Sequence, residues 1–390
     1  MIDFGKPLGM GCLRLPLFDE KEPENIDMEK AKKHIDIFQE NGYKYYDTSY
    51  VYHKGNSEKA LGTLLVDRYP RDAYLISTKM PIKWMTKPEQ MELHFQEQLD
   101  RLHLDCIDFY LVHMMERETY TRCEKWGAIE FLKQKRAEGK FKEFGVSVHD
   151  TPEFLEEVLT THPEIDFVML QINYVDWVNP SIRAGESYKV ALKFGKPIVV
   201  MEPCKGGTLA SLPEKASALM KAYNPDASEA SWAYRFVATL PGVRMTLAGM
   251  PDTKFLEDNL KTFDDLKPLN EAELKIIDQV IEIINENTVI PCTGCNYCTE
   301  NGCPQNIPIA DNFGLINDMK RFENSSNAGN INRVNIQADY YESWVKNGAG
   351  PASSCIACKK CERICPQNLP IVSYLAEYVV PLLENWQHKA

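Results

Sequence analysis

Short apolar runs alternate with amphipathic stretches along the first two thirds of the chain, at a spacing of roughly 30 residues. Eight runs have the length of a strand; they are LGMG (8–11), YKYYD (43–47), AYLISTK (73–79), CIDFYLVH (106–113), FGVSV (144–148), FVMLQI (167–172), PIVVME (197–202) and RMTLAG (244–249). Stretches between them, such as residues 28–42 and 87–103, carry apolar residues at helical spacing. Largely apolar strands separated by helices predict a parallel sheet. Eight such units in about 250 residues predict a closed (β/α)8 (TIM) barrel of the α/β class.

Two cysteine runs follow the last apolar run, and they contain eight of the chain's twelve cysteines. The first has the spacing C-x2-C-x2-C-x4-C and the second C-x2-C-x2-C-x3-C. Their members are Cys292, Cys295, Cys298 and Cys303, followed by Cys355, Cys358, Cys361 and Cys365. A tight C-x2-C-x2-C loop presents three thiolates to one face of a cubane cluster, whereas zinc sites favour cysteine pairs separated by longer loops. The sequence therefore predicts two [4Fe–4S] clusters.

The cysteine runs also divide the chain into parts. We expect a barrel over residues 1–266, a connecting helix over 267–289 and a small α-rich iron–sulfur domain over 290–390. The total length of 390 residues suits a barrel of roughly 250 residues with an added module. The connecting helix is predicted from the helical spacing of apolar residues in LNEAELKIIDQVIEII, residues 269–284.

Charge and hydropathy exclude several classes of partner. The net charge of −12 argues against nucleic acid or an anionic membrane as the main partner. No stretch approaches the roughly 18 unbroken apolar residues of a membrane-spanning helix. The N-terminus lacks the basic and apolar regions of a signal peptide, so we expect a cytoplasmic protein. In that reducing compartment, cysteines are more often metal ligands than disulfides.

Four polar side chains lie at or near the ends of predicted strands, where a barrel of this kind carries its chemistry. Asp47 ends the second strand, Lys79 the third and His113 the fourth, and Tyr52 comes five residues after Asp47. Each of them alone is unremarkable, because a strand-end aspartate usually caps a turn and a lone histidine is more often structural. Parallel strands bring their carboxyl ends to one face, so together the four predict a catalytic site.

The stretch YYDTSYVYHKGNSEKALG (45–62), with STK at 77–79 and FYLVH at 109–113, resembles the aldo-keto reductases. The resemblance covers about residues 5–265 and implies interconversion of a carbonyl and an alcohol, with hydride from a nicotinamide cofactor. It implies that Tyr52 protonates the carbonyl oxygen and that the Lys79 ammonium lowers the ordinary phenol pKa of about 10. Asp47 would hold the lysine in place, and His113 would hydrogen-bond the carbonyl and orient it.

The same resemblance implies a nicotinamide site at the ends of other strands. Ser147 and Gln171 stand at positions that hold the carboxamide group of the ring. Met201 stands where the family often has a tyrosine stacked on the ring, and a polarizable methionine sulfur can pack there. Gly11 and Cys12 would border the nicotinamide, although a simple packing role suits Cys12 equally well.

The adenine end of the cofactor is matched only in part. Asp258 and Asn259 resemble the Glu-Asn pair that contacts adenine in the family. Gly249 and Phe255 stand where basic residues usually bind the 2′-phosphate of NADPH, and Lys254 is a nearby substitute. The choice between NADP and NAD therefore stays open. The sequence shows no flavin fingerprint of the form G-x-G-x-x-G after the first strand.

The C-terminal region is similar to two-cluster ferredoxins, and the whole chain to a subgroup of the reductases with a fused ferredoxin-like tail. The ferredoxin resemblance implies that the fourth ligand of each cluster comes from the opposite run. Cluster I then takes Cys365 with the first three cysteines of the first run, and cluster II takes Cys303 with the first three of the second. The extra residue before Cys303 departs from the bacterial ferredoxin spacing.

Three functions stay open on this basis. The first is a carbonyl–alcohol oxidoreductase whose clusters exchange electrons with a ferredoxin-type partner or the substrate. The second is a ferredoxin-dependent reductase of an enone or quinone. The third is a redox-sensing or electron-transfer protein that uses the barrel as a nucleotide-binding scaffold, and the complete catalytic set weighs against it. A nicotinamide gives a hydride whereas a cluster passes single electrons, and no motif accounts for that junction. A flavin without a recognisable motif, a substrate that tolerates radical steps, and clusters that never turn over all stay open as explanations. Two clusters still favour an electron path over a structural role.

Overall fold

Eight parallel strands form a closed barrel in the order β1 to β8. The computed structural model describes residues 3–19, 22, 24–179, 182–286, 289–290, 292, 297–300, 303–323, 330–365 and 369–387. The strands are β1 (Leu8–Gly11), β2 (Tyr45–Asp47), β3 (Leu75–Met80), β4 (Ile107–Met115), β5 (Phe141–Val148), β6 (Phe167–Gln171), β7 (Ile198–Met201) and β8 (Val243–Ala248). Each apolar run coincides largely with one strand, which confirms the predicted barrel.

Helices separate the strands, as the amphipathic stretches predict. The α-helices before residue 270 are α1 (Met28–Glu40), α2 (Asn56–Leu61), α3 (Gln90–Leu102), α4 (Arg117–Trp126), α5 (Ala128–Ala137), α6 (Pro152–Thr161), α7 (Tyr174–Trp177), α8 (Ala184–Lys193), α9 (Glu214–Tyr223), α10 (Glu229–Ala238) and α11 (Thr253–Asp264). Asp27 caps α1 by accepting from the Lys30 backbone N–H at 3.0 Å, and Thr151 caps α6 in the same way. Such caps satisfy donors that the first turn leaves unpaired.

Large side chains fill the floor of the barrel. Phe4, which precedes β1, stacks on Phe109 with ring centroids 4.9 Å apart and meets the edge of Phe167 at 5.9 Å. Gly145 makes room for this cluster, because a Cβ at that position would lie 2.4 Å from the Phe167 ring. The N-terminal end of the barrel is therefore apolar and packed, which leaves the C-terminal end for polar chemistry.

A second compact unit contains residues 179–181, 207–229 and 270–390, and the barrel unit contains the remainder. Beside α9, its helices are α12 (Glu271–Glu286), α13 (Tyr297–Glu300), α14 (Ile309–Glu323), α15 (Asn330–Lys346), α16 (Lys360–Ile364) and α17 (Ile371–Tyr374), which continues as a π-type helix over Leu375–Glu384. The unit has its own hydrophobic core, built around Phe313, Ile316 and Val379. The domain boundaries expected from the sequence stay a prediction, and α12 spans most of the expected connecting helix.

No helix in the described part of the chain is long and apolar enough to cross a membrane. The most apolar late stretch, residues 369–383, is instead packed within the second unit. Its residues Ile371, Leu375 and Val379 recur at a spacing of four and are at most 1% exposed. This spacing places the three side chains on one helical face, which packs against the core of the unit.

Candidate active site

The four polar residues predicted as a catalytic set meet at the C-terminal ends of β2, β3 and β4. Asp47 is the last residue of β2, Lys79 is next to last in β3 and His113 lies near the end of β4. Tyr52 begins a short 3-10 turn, Tyr52–Gly55, in the loop after β2. Asp47 and Lys79 are buried, at 2% and 1% exposure, and His113 is 7% exposed. The structure thus brings all four together at one face.

Lys79 is the centre of this site. Its ammonium donates to Asp47 Oδ2 at 2.6 Å, to the Thr48 carbonyl at 2.7 Å and to the Tyr52 hydroxyl at 3.3 Å. These bonds use all three ammonium protons. The second carboxylate oxygen of Asp47 accepts from Ser77 Oγ at 3.1 Å. The buried ion pair is hydrogen-bonded on both sides, which is the condition under which buried charges are tolerated.

Burial and mutual contact set the charges of the three groups. Burial disfavours the Lys79 ammonium, but Asp47 and Tyr52 outweigh it, so the pKa of Lys79 is raised. Burial also raises the pKa of Asp47, against the effect of Lys79. The pKa of Tyr52 is raised too, because the cost of burying a phenolate exceeds the stabilisation that Lys79 provides. Lys79 acts on Tyr52 in the predicted direction, but the net pKa of Tyr52 lies above its ordinary value, so this residue is a phenol at neutral pH.

His113 lies beside Tyr52, with the two rings edge-to-face and their centroids 5.8 Å apart. Its Nδ1 is 3.0 Å from Ser49 Oγ, and that oxygen also accepts from the Val51 backbone N–H at 3.5 Å. We assign the serine proton to the Nδ1 contact, which puts the ring proton on Nε2. Burial, with Lys79 adding to it, holds the pKa of His113 well below 6.5. The ring is therefore a neutral N–H donor.

The backbone after Tyr52 is strained. His53 and Lys54 have φ values of 51° and 54°, in the left-handed region that side chains with a Cβ rarely adopt, and Gly55 follows at 90°. Each non-glycine residue held there costs about 1–3 kcal/mol, which the surrounding structure must offset. A Cβ at Gly55 would lie 2.9 Å from the Arg101 guanidinium. The tight turn directs Tyr52 toward Lys79, and this conformation could not be read from residue types.

A buried polar network behind Lys79 supports the site, and sequence reasoning missed it. Glu58 is completely buried; its Oε1 accepts from Thr78 Oγ1 at 2.6 Å and from Gln98 Nε2 at 2.7 Å. Its Oε2 accepts from Arg101 at 3.2 Å, and Gln98 also donates to the Lys79 carbonyl at 3.1 Å. The network fixes the end of β3 and therefore the position of Lys79. A glutamate on the apolar face of α2 was the one signal that could have revealed it.

The residues expected to hold the nicotinamide carboxamide lie at the same end of the barrel. Ser147 is next to last in β5, Gln171 is last in β6 and Met201 is last in β7. Ser147 Oγ lies 3.7 Å from Met201 Sδ, so these two are in contact. Gln171 donates its amide N–H to buried Asp176 at 2.8 Å, which leaves the amide oxygen as an acceptor. A hydroxyl and an amide oxygen are the groups that a carboxamide can bind.

Gly11 and Cys12 lie at the end of β1. A Cβ at Gly11 would come within 3.3 Å of the Ala248 carbonyl, so glycine suits this close approach of β1 and β8. Cys12 is completely buried and its thiol donates to the Met10 carbonyl at 3.5 Å. Burial, with Asp47 adding to it, raises the pKa of Cys12 far above its ordinary value. The contacts of Cys12 are those of a packed, unreactive thiol.

The residues expected at the adenine end lie on α11. Asn259 is buried and hydrogen-bonded to Tyr234, and Asp258 is half-buried. Lys254 stacks its ammonium on the Phe255 ring, 4.9 Å from the centroid. These contacts show where the side chains lie, and the roles of the residues toward a nucleotide stay predictions.

Arg14 is a basic residue that no sequence motif singles out. A Cβ at Gly249 would lie 2.8 Å from Arg14 Cδ, so the arginine lies directly over this glycine at the end of β8. Arg14 is exposed, and its guanidinium and the Glu202 carboxylate both border Gly206. Position 249 was expected to be basic from the family resemblance but is a glycine. Arg14 places a positive charge over that glycine instead.

Four cysteines of the second unit line one recess. They are Cys303, Cys355, Cys358 and Cys361, the set expected for cluster II. A wall of cysteine side chains around one recess is the arrangement that thiolate ligands of a metal centre require. Of the cluster I set, Cys292, Cys298 and Cys365 lie in the same core, and Cys295 lies outside the described residues.

Buried polar side chains hold the backbone just before each of the two cysteine runs. Asn317 accepts from the Ile290 N–H at 2.9 Å and donates to its carbonyl at 2.8 Å, two residues before Cys292. The Tyr341 hydroxyl accepts from Ala352 N–H at 2.7 Å, three residues before Cys355. Asn312 is also fully buried, yet neither polar atom of its amide has a partner in the described structure. An unpaired buried amide is costly, so a bound group that pairs with it would stabilise the unit.

Comparison with known proteins identifies the family. Residues 7–282 match the profile of the Aldo/keto reductase family. The chain belongs to this family. Residues 291–369 match a 4Fe-4S dicluster domain. Both results confirm the resemblance found in the sequence: a domain of the aldo/keto reductase family is followed by a 4Fe-4S domain on its C-terminal side.

Individual relatives are distant. An aldo-keto reductase of Mycobacterium bovis is 26% identical over 165 residues, which cover 41% of this chain and 53% of that protein. Norsolorinic acid reductase of Aspergillus flavus is 29% identical over 134 residues, or 31% of this chain and 33% of that enzyme. The chain thus spans about half or less of the length of these relatives.

Solved structures support the fold. An aldo-keto reductase from Bacillus halodurans, in its holo form, aligns with a TM-score of 0.56 and 22% identity, over 70% of this chain and 91% of that one. An aldo-keto reductase from Klebsiella pneumoniae in complex with NADPH aligns with a TM-score of 0.54 and 19% identity, over 70% and 90% of the two chains. At these identities the likeness establishes the barrel alone.

Proposed function

We propose that this reductase interconverts a small carbonyl compound and its alcohol with NADPH or NADH, and that its two [4Fe–4S] clusters exchange electrons with a ferredoxin-type partner in the cytoplasm. The observation that supports the carbonyl chemistry most is the hydrogen-bonded chain from Tyr52 through Lys79 to Asp47, with the neutral His113 ring beside it. This arrangement offers one acid and one neutral donor to a carbonyl oxygen.

The contacts of each residue decide its role. Tyr52 is the proton donor, because its hydroxyl accepts from Lys79 and keeps its own proton for the substrate. Lys79 is unsuited to that role, since its three protons are committed and its pKa is raised. The fixed ammonium instead stabilises the phenolate that remains when Tyr52 has given its proton. His113 donates through Nε2 to the same carbonyl oxygen and orients it.

The nicotinamide cofactor, when bound, supplies hydride to the carbonyl carbon. The chain fits such a group in part: Ser147 and Gln171 offer a hydroxyl and an amide oxygen to the carboxamide. Met201 would pack against the ring, and Gly11 with Cys12 would form its floor. Asp258 and Asn259 would contact adenine. We add Arg14 to this set as the contact for the 2′-phosphate, because it lies over Gly249.

The iron–sulfur clusters would be held by the two cysteine runs. Cys292, Cys295, Cys298 and Cys365 would bind cluster I, and Cys303, Cys355, Cys358 and Cys361 would bind cluster II. The recess lined by the second set supports that assignment. When bound, such clusters transfer single electrons.

The Tyr52→Phe variant tests the catalytic part of the proposal. Loss of the general acid should lower turnover of aromatic aldehydes and α-dicarbonyls with NADPH by about 10²–10⁴-fold. Tyr50→Phe is the matched control, because the Tyr50 hydroxyl donates to Glu97, outside the Lys79 network. Iron content and visible absorption should be unchanged in both variants. Equal activity of Tyr52→Phe and the wild type would overturn the assignment of Tyr52 as the acid.

A further inference from the structure

The two cysteine runs carry different charge. Residues 292–303 contain one glutamate and no lysine or arginine. Residues 355–365 contain Lys359, Lys360 and Arg363, together with a single acidic residue, Glu362. On a chain with a net charge of −12, the second run is therefore a local concentration of positive charge.

The basic side chains face solvent, whereas the acidic one is turned inward. Lys359, Lys360 and Arg363 are all exposed. Glu362 is half-buried, and its Oε1 accepts from the Val372 backbone N–H at 3.0 Å. Lys359 lies 3.8 Å from the other oxygen of Glu362, a distance at which an exposed pair is weak. The outward surface of this run thus presents positive charge.

This charged surface adjoins the cysteine recess. Lys359 and Ile356 line the recess together with Cys355 and Cys358. Ile356 is 60% exposed, so an apolar side chain stands at the edge of the recess beside the cations. Arg363 donates to the Cys358 carbonyl at 3.2 Å, so the charge is tied to the backbone of an expected ligand. We call Ile356, Lys359, Lys360 and Arg363 the basic tip.

We propose that the basic tip is the docking surface for an acidic ferredoxin, and that electrons enter or leave this protein through cluster II. The inference rests on the proposed function, in which the clusters are redox-active. One electron leaves the reduced ferredoxin and reduces the cluster held by the second run, and no bond or proton is transferred. A small patch with an apolar centre and a charged rim suits the weak, short-lived contacts of electron-transfer partners.

Charge complementarity selects this occupant. Three exposed cations around one apolar side chain attract an acidic protein surface of matching small size at short range, where the local charge outweighs the net charge of −12 that opposes every anionic partner at longer range. The first cysteine run lacks such cations, so the same partner has no comparable attraction to it. The ferredoxin side is therefore cluster II, whose expected ligands Cys355 and Cys358 line the same recess as Lys359.

Stopped-flow mixing of the anaerobic holoprotein with a reduced plant-type [2Fe–2S] ferredoxin tests the proposal. The second-order rate of cluster reduction should fall steeply as ionic strength rises. The charge-reversed variant Lys359→Glu/Lys360→Glu should react at least about tenfold more slowly at low salt, and the difference should shrink at high salt. Lys275→Glu/Lys346→Glu is the matched control, with the same change of charge at exposed lysines elsewhere in the unit, and should stay within about twofold of the wild type.

Two further measurements separate the possible failures. Reduction by methyl viologen radical, a small cation, should be unchanged or faster in the charge-reversed variant, which shows that the cluster is intact. Carbonyl reduction with NADPH, measured without ferredoxin, reports on the barrel chemistry independently. A variant with a full iron content whose reduction by ferredoxin is as fast as that of the wild type would overturn the docking surface. Equal slowing by both double variants would also overturn it, because net charge alone would then be responsible.

Discussion

The buried pair of Asp47 and Lys79 should be strongly coupled in stability, because each charge compensates the other away from water. Lys79→Met removes the cation and leaves the carboxylate, which is 2% exposed, with Ser77 as its remaining side-chain donor. Breaking a buried pair on one side costs about 3–5 kcal/mol, a large part of the roughly 5–15 kcal/mol that stabilises a typical domain. Replacing both partners by apolar residues leaves no charge without its counterion. We therefore expect Asp47→Leu/Lys79→Met to be no less stable than Lys79→Met alone. The losses of unfolding free energy in the two single variants should then add up to about 3 kcal/mol or more beyond the loss in the double variant.

Urea unfolding of the full chain measures this coupling. Tryptophan fluorescence reports mainly on the barrel unit, which contains Trp84, Trp126, Trp177 and Trp232 of the six tryptophans. The exposed pair of Lys54 and Glu24, 2.8 Å apart, provides the control, and Lys54→Met should leave the midpoint unchanged. Strict additivity of the two single substitutions at the buried pair would refute the reasoning, because it would mean that each group is stabilised independently of the other.

The same variant has a defined pH dependence. Burial already raises the pKa of Asp47 in the intact site, and loss of Lys79 removes the group that opposes this shift. A carboxyl whose folded pKa exceeds its unfolded value of about 3.9 favours the folded state at low pH and loses that contribution as pH rises through the folded pKa. The deficit of Lys79→Met relative to the wild type should therefore shrink as the pH is lowered from 7 toward 5. A deficit that is constant over this range would contradict the account.

Three other predictions concern the cofactor, the iron–sulfur unit and the histidine. Arg14→Leu should weaken NADPH binding about tenfold, the value of one charge-assisted contact, and leave NADH binding unchanged in fluorescence titrations; equal losses for both cofactors would contradict a 2′-phosphate contact. Asn317→Leu removes both hydrogen bonds to the Ile290 backbone and should lower the iron content after reconstitution, while carbonyl reduction by the barrel is retained. A full iron content in this variant would show that these two hydrogen bonds are not needed to hold the clusters. Because burial holds the pKa of His113 well below 6.5, titration of this histidine should not change kcat/KM between about pH 6 and 8. A pH-dependent change of kcat/KM centred near 6.5 that disappears in His113→Gln would refute a neutral ring.

The barrel and its catalytic set were predictable because both depend on regular features of the chain. A parallel sheet gives each strand a continuous apolar run, and a barrel repeats that run once per unit. Asp47, Lys79 and His113 could be expected together since each lies at or near the end of its own run. The cysteine runs were predictable for a similar reason, because ligand spacing within a tight loop is local.

The supports of the site could not be predicted from local pattern. Glu58 meets Gln98 and Arg101 across about 40 residues of chain, and only the closed barrel brings them together. Ser49 fixes the ring of His113 from a different strand end, 64 residues away. Such partners are selected by tertiary packing, which residue types alone do not encode.

The net pKa shift of Tyr52 was also predictable only in part from the sequence. Lys79 was expected to lower the pKa of Tyr52, and the lysine does act in that direction. The extent of burial decides the net shift, however, and burial depends on how the loops after β2 and β3 cover the hydroxyl. Arg14 shows the same dependence, because its position over Gly249 follows from the meeting of β1 and β8.

Deuterium transfer from the cofactor to the substrate decides whether hydride is delivered at the Tyr52–Lys79 site. The holoprotein is incubated anaerobically with an aromatic aldehyde and NADPH or NADH that carries deuterium at both hydrogen positions of C4 of the ring, and the alcohol is examined by mass spectrometry. Hydride transfer at the Tyr52–Lys79 site predicts deuterium on the carbinol carbon, and a strongly reduced yield of that alcohol with Tyr52→Phe. Reduction of the aldehyde without deuterium on that carbon would contradict the account, because the electrons would then have come by way of the clusters and the proton from water.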